Sequence, residues 1–526
     1  MKRISIFNHV LGPVMRGPSS SHTAGAYHIA GVVRSLAGGT PARVSCAFDP
    51  GGSYARTYSQ QGADRAFAMG LMGRPLTDEA FFRALDLAPS HGLDLRFEVR
   101  TIPGADHPNQ AHILAQGADG RQLDLMARSI GGGDFDITRL NGWPVRCNGC
   151  AYDLAVEVEP EGLAEVQAGI LRHGFLLGAP ALQKREAAAL VTASRSRDGA
   201  ELLAWLRALP RVRWACQAAP VYFIQPGAML FHSAAEMEEL AAAGGLSLGE
   251  LAARYEAQLL GLEPGQVEQE MLRRYAVMEQ AVRRGLDPEF EGMQLLEPSA
   301  GRVFQAQAQG PGKAGLSLGG PHLRAAARAM AVMHVNGAMG VVCAAPTGGA
   351  AGTLPGTMVT LAEERALEPR AVARALLAAG AVGVIVAQRA TFAAEVAGCQ
   401  VEIGAAGAMA AAAVVDAVGG SAAQACAAAA IAFQNTMGSV CDLVQGMVEI
   451  PCHTRNAVAA ANAFLCADLV LGGYANPIPL DETIDAVYAV GRMLPAELRC
   501  TARGGLALAP SARALKPKGV CQECGS

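Results

Sequence analysis

Three cysteines in the last third of the chain, Cys399, Cys441 and Cys452, lie in lysine-free stretches with glycine or proline close by, separated by 42 and 11 positions. That spacing contains no local ferredoxin-type run, so the three sulfurs act together only if separate elements bring them together. Three thiolates are one fewer than a tetra-cysteinyl iron–sulfur site uses. A cluster held that way leaves one iron open to a substrate oxygen, where it acts as a Lewis acid and not only as an electron carrier. Glycine near the ligands lets backbone approach a bulky inorganic group. The competing reading is that free cysteines in an alanine-rich core are small hydrophobes. Spacing alone leaves both readings open for these three, and favours simple packing for Cys343, Cys426 and Cys466.

Other groups have chemistry of their own. Ser19, Ser20, Ser21 and Thr23 form a hydroxyl-rich loop opening a helix, where side chains and amides can hold a carboxylate; ordinary N-capping is the alternative. Thr347, Gly348 and Gly349 offer consecutive backbone N–H groups, a pattern that makes an anion nest. Arg455 and Asn456 follow Cys452 directly, placed to contact substrate or to order the surroundings of a metal, with a surface salt bridge the alternative for Arg455. Cys147 and Cys150 form a C-x2-C without a second pair, which argues against zinc. Cys521 and Cys524 sit near the end of the chain, and either is a candidate to reach an open iron when substrate is absent.

The elements that must position these residues change in character along the chain. Residues 1–142 alternate apolar strands (43–49, 94–102, 121–130) with turn clusters and read as an α+β domain. Residues 143–225 read as a small βαββαβ, ACT-like module. Its strands are expected at 152–159, 187–194 and VYFIQ (221–225), with VRWACQA before the last and helices between. Such modules bind amino acids; a mere spacer is the alternative. Residues 226–526 read as an all-α catalytic domain. Ser233 is expected to cap a helix with Glu236 completing a capping box, and amphipathic helices run to about 287. A glycine-rich loop follows at 310–321. Nearly continuous small-residue helix is then expected over 322–466, broken at Thr347–Gly349, Gly352–Gly356 and Gly419–Gly420.

The chain has 526 residues, 51% hydrophobic and 17% charged, with a formal net charge of −4. That length implies more than one core, and nothing is basic enough for a nucleic-acid surface. Thirteen cysteines without a recognisable signal peptide point to a reducing, cytoplasmic setting. Residues 403–440 carry one charge, Asp416, but are rich in alanine, glycine and serine rather than in the strongly apolar residues of a spanning helix. No membrane is expected. The extensive apolar helices suggest a homodimer. Only Lys184 and Lys313 lie away from the termini, and neither sits in a pyridoxal-lysine context, which disfavours Schiff-base chemistry.

Several motifs together resemble one family. VCDLVQGMVEIPCHTRNAVAAANA (440–463) resembles the VCDPVxGxVExPCxxRNA signature of iron–sulfur L-serine dehydratases. VVCAAPTGGAAGTLPG (341–356), AGCQVEIGAAGAMAAAA (397–413), GPSSSHTAG (17–25) and DHPNQ (106–110) are similar to further motifs of that family. The resemblance spans residues 1–142 and 233–510 and implies a single-chain form with fused beta and alpha regions. It implies conversion of the small-molecule substrate L-serine to pyruvate and ammonia, a step of amino-acid degradation toward gluconeogenesis. The implied cofactor is a [4Fe-4S] cluster on Cys399, Cys441 and Cys452. It further implies a catalytic group of His22, Ser20, Ser21 and His107, with His22 the first candidate for the base and His453 a weaker one. Ser19, Thr23, Thr347, Gly348, Gly349, Arg455 and Asn456 are the implied substrate-binding residues. The chain departs from the family at Gln61, where a histidine is expected, at Ala63 in place of threonine, and at Ala350 in place of serine. These departures leave open cysteine desulfidation or dehydration of another β-hydroxy amino acid. A non-catalytic alternative is a cluster-based small-molecule or redox sensor.

Overall fold

The computed structural model describes residues 3–308 and 319–518. The chain divides into two compact units, Ala24–Gly227 and a second made of Met1–Thr23 with Ala228–Ser526. It is multidomain, sheet-containing toward the N-terminus and helical toward the C-terminus.

The unit Ala24–Gly227 contains two sheets. Six strands lie in the order Asp94–Val99, Arg43–Phe48, Gln110–Gln116, Gln122–Gly131, Asp134–Leu140, Trp143–Cys147. The first two are parallel and the rest antiparallel. The second sheet runs Val212–Ala218, Tyr152–Val158, Ala188–Arg195, Ala181–Arg185, antiparallel throughout. Helices Leu163–His173 and Ala200–Ala208 complete a βαββαβ order. Alternation along its strands places Leu154, Val156, Val158, Ala189 and Val191 in one core with Val166, Ile170, Leu202 and Leu206 from the helices. One expected strand is corrected: the last strand is VRWACQA, and VYFIQ forms none. Val221 and Tyr222 leave the sheet because both their amides donate to Gly149 O, at 3.0 and 3.1 Å. The Tyr222 hydroxyl donates to Gly133 O at 2.6 Å.

In the helical unit Ser233 caps the helix Ala234–Gly244 as expected, accepting from Glu236 N at 3.1 Å. The Glu236 carboxylate reaches back to His232 N (2.7 Å) instead of to the cap residue. Helices Leu248–Leu260 and Pro264–Leu286 follow. The small-residue region is less continuous than its composition implies. Gly356 lies inside the helix Thr353–Arg365, while 390–402 holds only the short turns Ala394–Ala397 and Cys399–Val401 and 435–451 is largely non-helical. Part of the expected 310–321 loop lies outside the described residues. Pro369–Arg389 and Cys399–Ala417 are long and apolar enough to cross a membrane by length and composition; 78% and 89% of those stretches are buried inside the protein.

The start of the chain belongs to this core. Ile4, Ile6, Phe7, Val10 and Leu11 are buried among the helices. A Cβ at Gly380 would stand 2.5 Å from Ile6 and one at Gly383 2.1 Å from Val10, so those glycines let the segment press onto the helix Pro369–Arg389. Its polar backbone is answered by the fully buried Glu256, which accepts from the Ser5 hydroxyl, Ile6 N (2.8 Å) and Phe7 N (3.0 Å). After this segment Val14–Arg16 pairs antiparallel with Val341–Cys343.

Removing the Glu256 carboxylate strands three buried donors, each worth about 1–3 kcal/mol when unsatisfied. Glu256→Ala is therefore expected to lower stability by about 3 kcal/mol or more in urea denaturation; a loss below about 1 kcal/mol contradicts this account.

Candidate functional site

The short ladder Val14–Arg16 with Val341–Cys343 carries two loops into the helical unit, Ser19–Thr23 from one strand and Thr347–Gly349 from the other. The loops touch: Gly348 N donates to Ser20 Oγ at 3.3 Å. A Cβ at Gly348 would lie 2.9 Å from Pro18 O, so only glycine admits this approach. Asn336 Nδ2 donates to Pro18 O at 2.9 Å and holds the serine loop from beneath. His22 is buried, its Nδ1 3.1 Å from Ser19 Oγ. Burial lowers its pKa to about 4, so the imidazole is neutral near pH 7.

Three separate elements deliver the cysteines. Cys399 opens the single turn Cys399–Val401, Cys441 lies in the irregular stretch before Val444, and Cys452 begins the helix Cys452–Leu471. All three are buried in one cluster with Ala350, Val448 and Ile403, and Cys500 packs against it. The Cys399 and Cys441 thiols hydrogen-bond. That bond favours the thiolate at Cys399 and, helped by the Arg455 guanidinium, holds its pKa below the usual thiol value. Cys441 is pushed well up, first by its sulfur neighbours Cys399 and Cys500 and then by burial. Burial likewise raises Cys452. Ligand atoms of Cys399, Glu402 and Cys441 all lie within 4.8 Å of one another, a group able to hold a metal ion.

Arg455 ties these elements together. Its Nη1 donates to Val440 O at 2.7 Å and lies 3.8 Å from Cys399 Sγ, while Nη2 pairs with Asp442 at 3.0 Å. Asn456 is committed to architecture. Its Oδ1 accepts from Gly352 N, Thr353 N and Thr353 Oγ1 (3.2, 3.0 and 2.9 Å), and its Nδ2 donates to Gly349 O and Cys452 O, both at 2.9 Å. It thereby caps the helix Thr353–Arg365 from across the unit, which is why the glycines at 352–356 do not break it. Glu402 links the sulfurs to the second loop. Its carboxyl interacts with Thr347, and burial followed by the nearby Cys399 raises its pKa well above the usual carboxyl range. Beside Cys399 and Arg455 opens a cavity of about 330 Å³, with Asn435, Ser439 and Asn462 also in its wall.

Of the other sequence candidates, His453 is buried with its ring 5.1 Å from that of His334, and burial lowers its pKa to about 3. His107 lies in the Ala24–Gly227 unit, as does Gln61, and its Nδ1 accepts from Asn109 N at 3.1 Å. Cys521 and Cys524 fall outside the described residues. Two residues escaped sequence reasoning. Glu402 stands three positions after Cys399 within a motif already quoted, a signal that was available. Cys500 sits in LRCTARGG, where neither spacing nor pattern marks it.

Comparison with known proteins accords with this arrangement. Residues 230–507 match the family model "Serine dehydratase alpha chain". The chain is 38% identical over 290 residues to a probable L-serine dehydratase alpha chain of Bacillus subtilis, covering 55% of this chain and 95% of that one. It is 44% identical over 149 residues to a probable L-serine dehydratase beta chain of the same organism (28% of this chain, 66% of that one). It is 35% identical over 182 residues to an L-serine dehydratase of Haemophilus influenzae, covering 34% of this chain and 40% of that one. With relatives of both chain types in a single polypeptide, and with its buried cysteine site inside the matched region, this chain is an enzyme that belongs to the serine dehydratase family.

Proposed function

We propose that the protein is an L-serine ammonia-lyase that uses a [4Fe-4S] cluster held by Cys399, Cys441 and Cys452. The observation that carries this reading is the convergence of three sequence-distant cysteines in one buried cluster, on a unit whose serine and glycine loops meet. Soft thiolates are the ligands iron–sulfur groups take, and the adjacent Arg455 offsets part of the negative charge such a group brings. When bound, the cluster supplies an electron-poor iron that offsets the charge developing on a departing hydroxyl.

The chain's own residues supply the rest. Ser19, Ser20, Ser21 and Thr23, with the amides of Thr347, Gly348 and Gly349, hold the substrate carboxylate. His22 takes the Cα proton; burial keeps it neutral and so able to accept, at some cost in basicity. The electrons left at Cα form the double bond to Cβ as hydroxide leaves, and the enamine product tautomerises and hydrolyses in water to pyruvate and ammonia. Thr347 and Glu402 provide polar contact between loop and sulfurs. Asn456 acts by holding Gly349 and Cys452 in register.

The remaining readings are more general. The βαββαβ module, residues 143–225, is ACT-like and serves as an amino-acid sensor, supported by its strand order. The enzyme works in the cytoplasm, as its reduced thiols suggest, and as a homodimer. Support for the dimer comes from Val458, Leu465 and Leu469, which are 68%, 52% and 41% exposed along one helix at spacings of seven and four.

Anaerobic protein reconstituted with iron and sulfide is expected to be brown and to release pyruvate and ammonia from L-serine in preference to threonine or cysteine. Cys399→Ser, Cys441→Ser and Cys452→Ser are each expected to abolish both the visible absorbance and the activity. Iron-free but active protein would reject the cluster.

His22→Gln is expected to leave iron content intact and lower kcat by about 10²–10⁴-fold; a change confined to KM assigns His22 to binding. Burial also ties His22 and His334 to acid stability, since both fall from 6.5 in the unfolded chain to about 4 when folded. The unfolded state therefore binds more protons below pH 6.5, and stability present above that pH is lost progressively down to about 4. Urea midpoints measured between pH 7 and 4.5 are expected to decline, and less steeply in His334→Asn.

Val458→Glu combined with Leu465→Glu is expected to convert the dimer to monomer in light scattering. A monomeric wild-type protein removes the dimer.

A further inference from the structure

We propose that a gap between the two sheets of the unit Ala24–Gly227 binds an α-amino acid with an apolar side chain, its ammonium group on Asp153 and its carboxylate toward Arg146. The inference rests on the reading of residues 143–225 as an amino-acid sensor and gives that sensor a place and a ligand class.

Helices cover one face of the four-stranded sheet, and the other face meets the strand Trp143–Cys147 of the six-stranded sheet. At one end long side chains clamp the two sheets together. Gln183 Nε2 donates to Pro144 O (2.6 Å) and Arg185 Nη2 to Gly142 O (2.7 Å), while the Arg185 guanidinium lies 3.7 Å over the Trp143 ring. The Trp143 and Trp214 indoles both donate to Glu157, at 2.7 and 2.9 Å. Farther along, the side chains are short. Strand register sets Ala218, Asp153 and Ser194 in one row across the sheet and Ala155, Thr192 and Ala181 in another. Sheets packed face to face stand about 10 Å apart, more than alanine and serine fill. The result is a cavity of about 480 Å³, inside the range of about 300–1,000 Å³ that small-molecule sites occupy.

The chemistry of the walls is divided. Leu36, Ile137, Leu140 and Val145 present hydrocarbon. Asp153 brings a carboxyl that accepts from the Ser194 hydroxyl at 2.5 Å and from the Cys147 thiol. Both donors are neutral, and among the described residues no cation pairs with it; burial raises its pKa. A carboxylate drawn from water without a counter-charge is costly, and an ammonium group from a ligand removes that cost. Arg146 lies in the same wall, exposed, with the planar fork that a carboxylate takes. An acid and a base flanking hydrocarbon match a zwitterion with an apolar side chain. The hydroxymethyl group of serine buries little apolar area there, so this ligand is not the substrate.

All three tryptophans, Trp143, Trp205 and Trp214, belong to this unit, so the intrinsic fluorescence of the full-length protein reports on it. Anaerobically reconstituted protein is titrated with L-leucine, L-phenylalanine and L-serine, by fluorescence and by calorimetry. Isoamylamine and isocaproate, which are leucine without its carboxylate and without its ammonium group, are titrated alongside. L-Leucine or L-phenylalanine is expected to saturate, with both analogues weaker by at least about tenfold. Asp153→Asn is expected to raise the Kd for that amino acid at least about tenfold. Ala155→Leu, which fills the gap, is expected to abolish binding, with circular dichroism confirming that both variants fold. The same affinity in wild type and both variants overturns the site and leaves the sensor reading standing. L-Serine bound as tightly as L-leucine, and lost in Asp153→Asn, overturns the apolar class. The analogues need no variant to fold: isocaproate bound as well as leucine overturns the role of Asp153, and isoamylamine bound as well overturns that of Arg146. Wild type that gives neither heat nor a fluorescence change with any amino acid overturns this proposal and the sensor reading together.

Discussion

Everything at the site depends on holding several thiols together in a low-dielectric pocket before any metal is considered. Thiols are weak hydrogen-bonding groups and gain little from one another, so the chain around them must do the holding. Arg455 and Asn456, on the first turn of the helix that starts at Cys452, reach in different directions. Arg455 fastens Val440 and Asp442, flanking Cys441, and approaches Cys399. Asn456 fastens Gly349, Gly352 and Thr353. One helical turn therefore sets the position of three sulfurs and of a glycine loop. Its charge also has a chemical consequence, because a guanidinium beside Cys399 favours the thiolate that metal binding requires.

The serine loop depends on a different constraint. It follows the helical turn Ile6–Val10, whose first two amides would be orphaned in an apolar core without Glu256. The fit of Ile6 and Val10 against Gly380 and Gly383 adds shape to that electrostatic anchor. The strand pairing Val14↔Cys343 then sets the register between the serine loop and Thr347–Gly349. The hydroxyls of the serine loop and the amides of Thr347–Gly349 thus inherit their geometry from contacts more than two hundred residues apart in the chain.

Legibility varied with the range of the interactions involved. Strands such as Arg43–Phe48 and Tyr152–Val158 followed from alternation, because their partners and their buried faces are expressed residue by residue. The Ser233 cap was readable three residues away. VYFIQ was misread because its apolar, β-favouring composition is the same whether its amides pair with a strand or with Gly149. Glycines at 352–356 looked like a helix break because nothing nearby announces that Asn456 caps that helix from a hundred positions away. Cys500 was invisible for a similar reason: its significance is a neighbour, Cys441, supplied by another part of the fold.

By itself the sequence determined the chemical repertoire. It showed three thiols with no local partners, hydroxyl-rich and glycine-rich loops suited to an anion, and too few lysines for Schiff-base catalysis, as well as the motifs by which the family is recognised. These are properties of residue types and short spacings, which the backbone preserves whatever the rest of the chain does. Only the tertiary structure decided that residues up to Thr23 join the helical unit, that Asn456 is spent on architecture, and that Glu402 and Cys500 stand beside the sulfurs. Those are facts of proximity between distant segments, fixed by packing and by buried polar groups finding their partners.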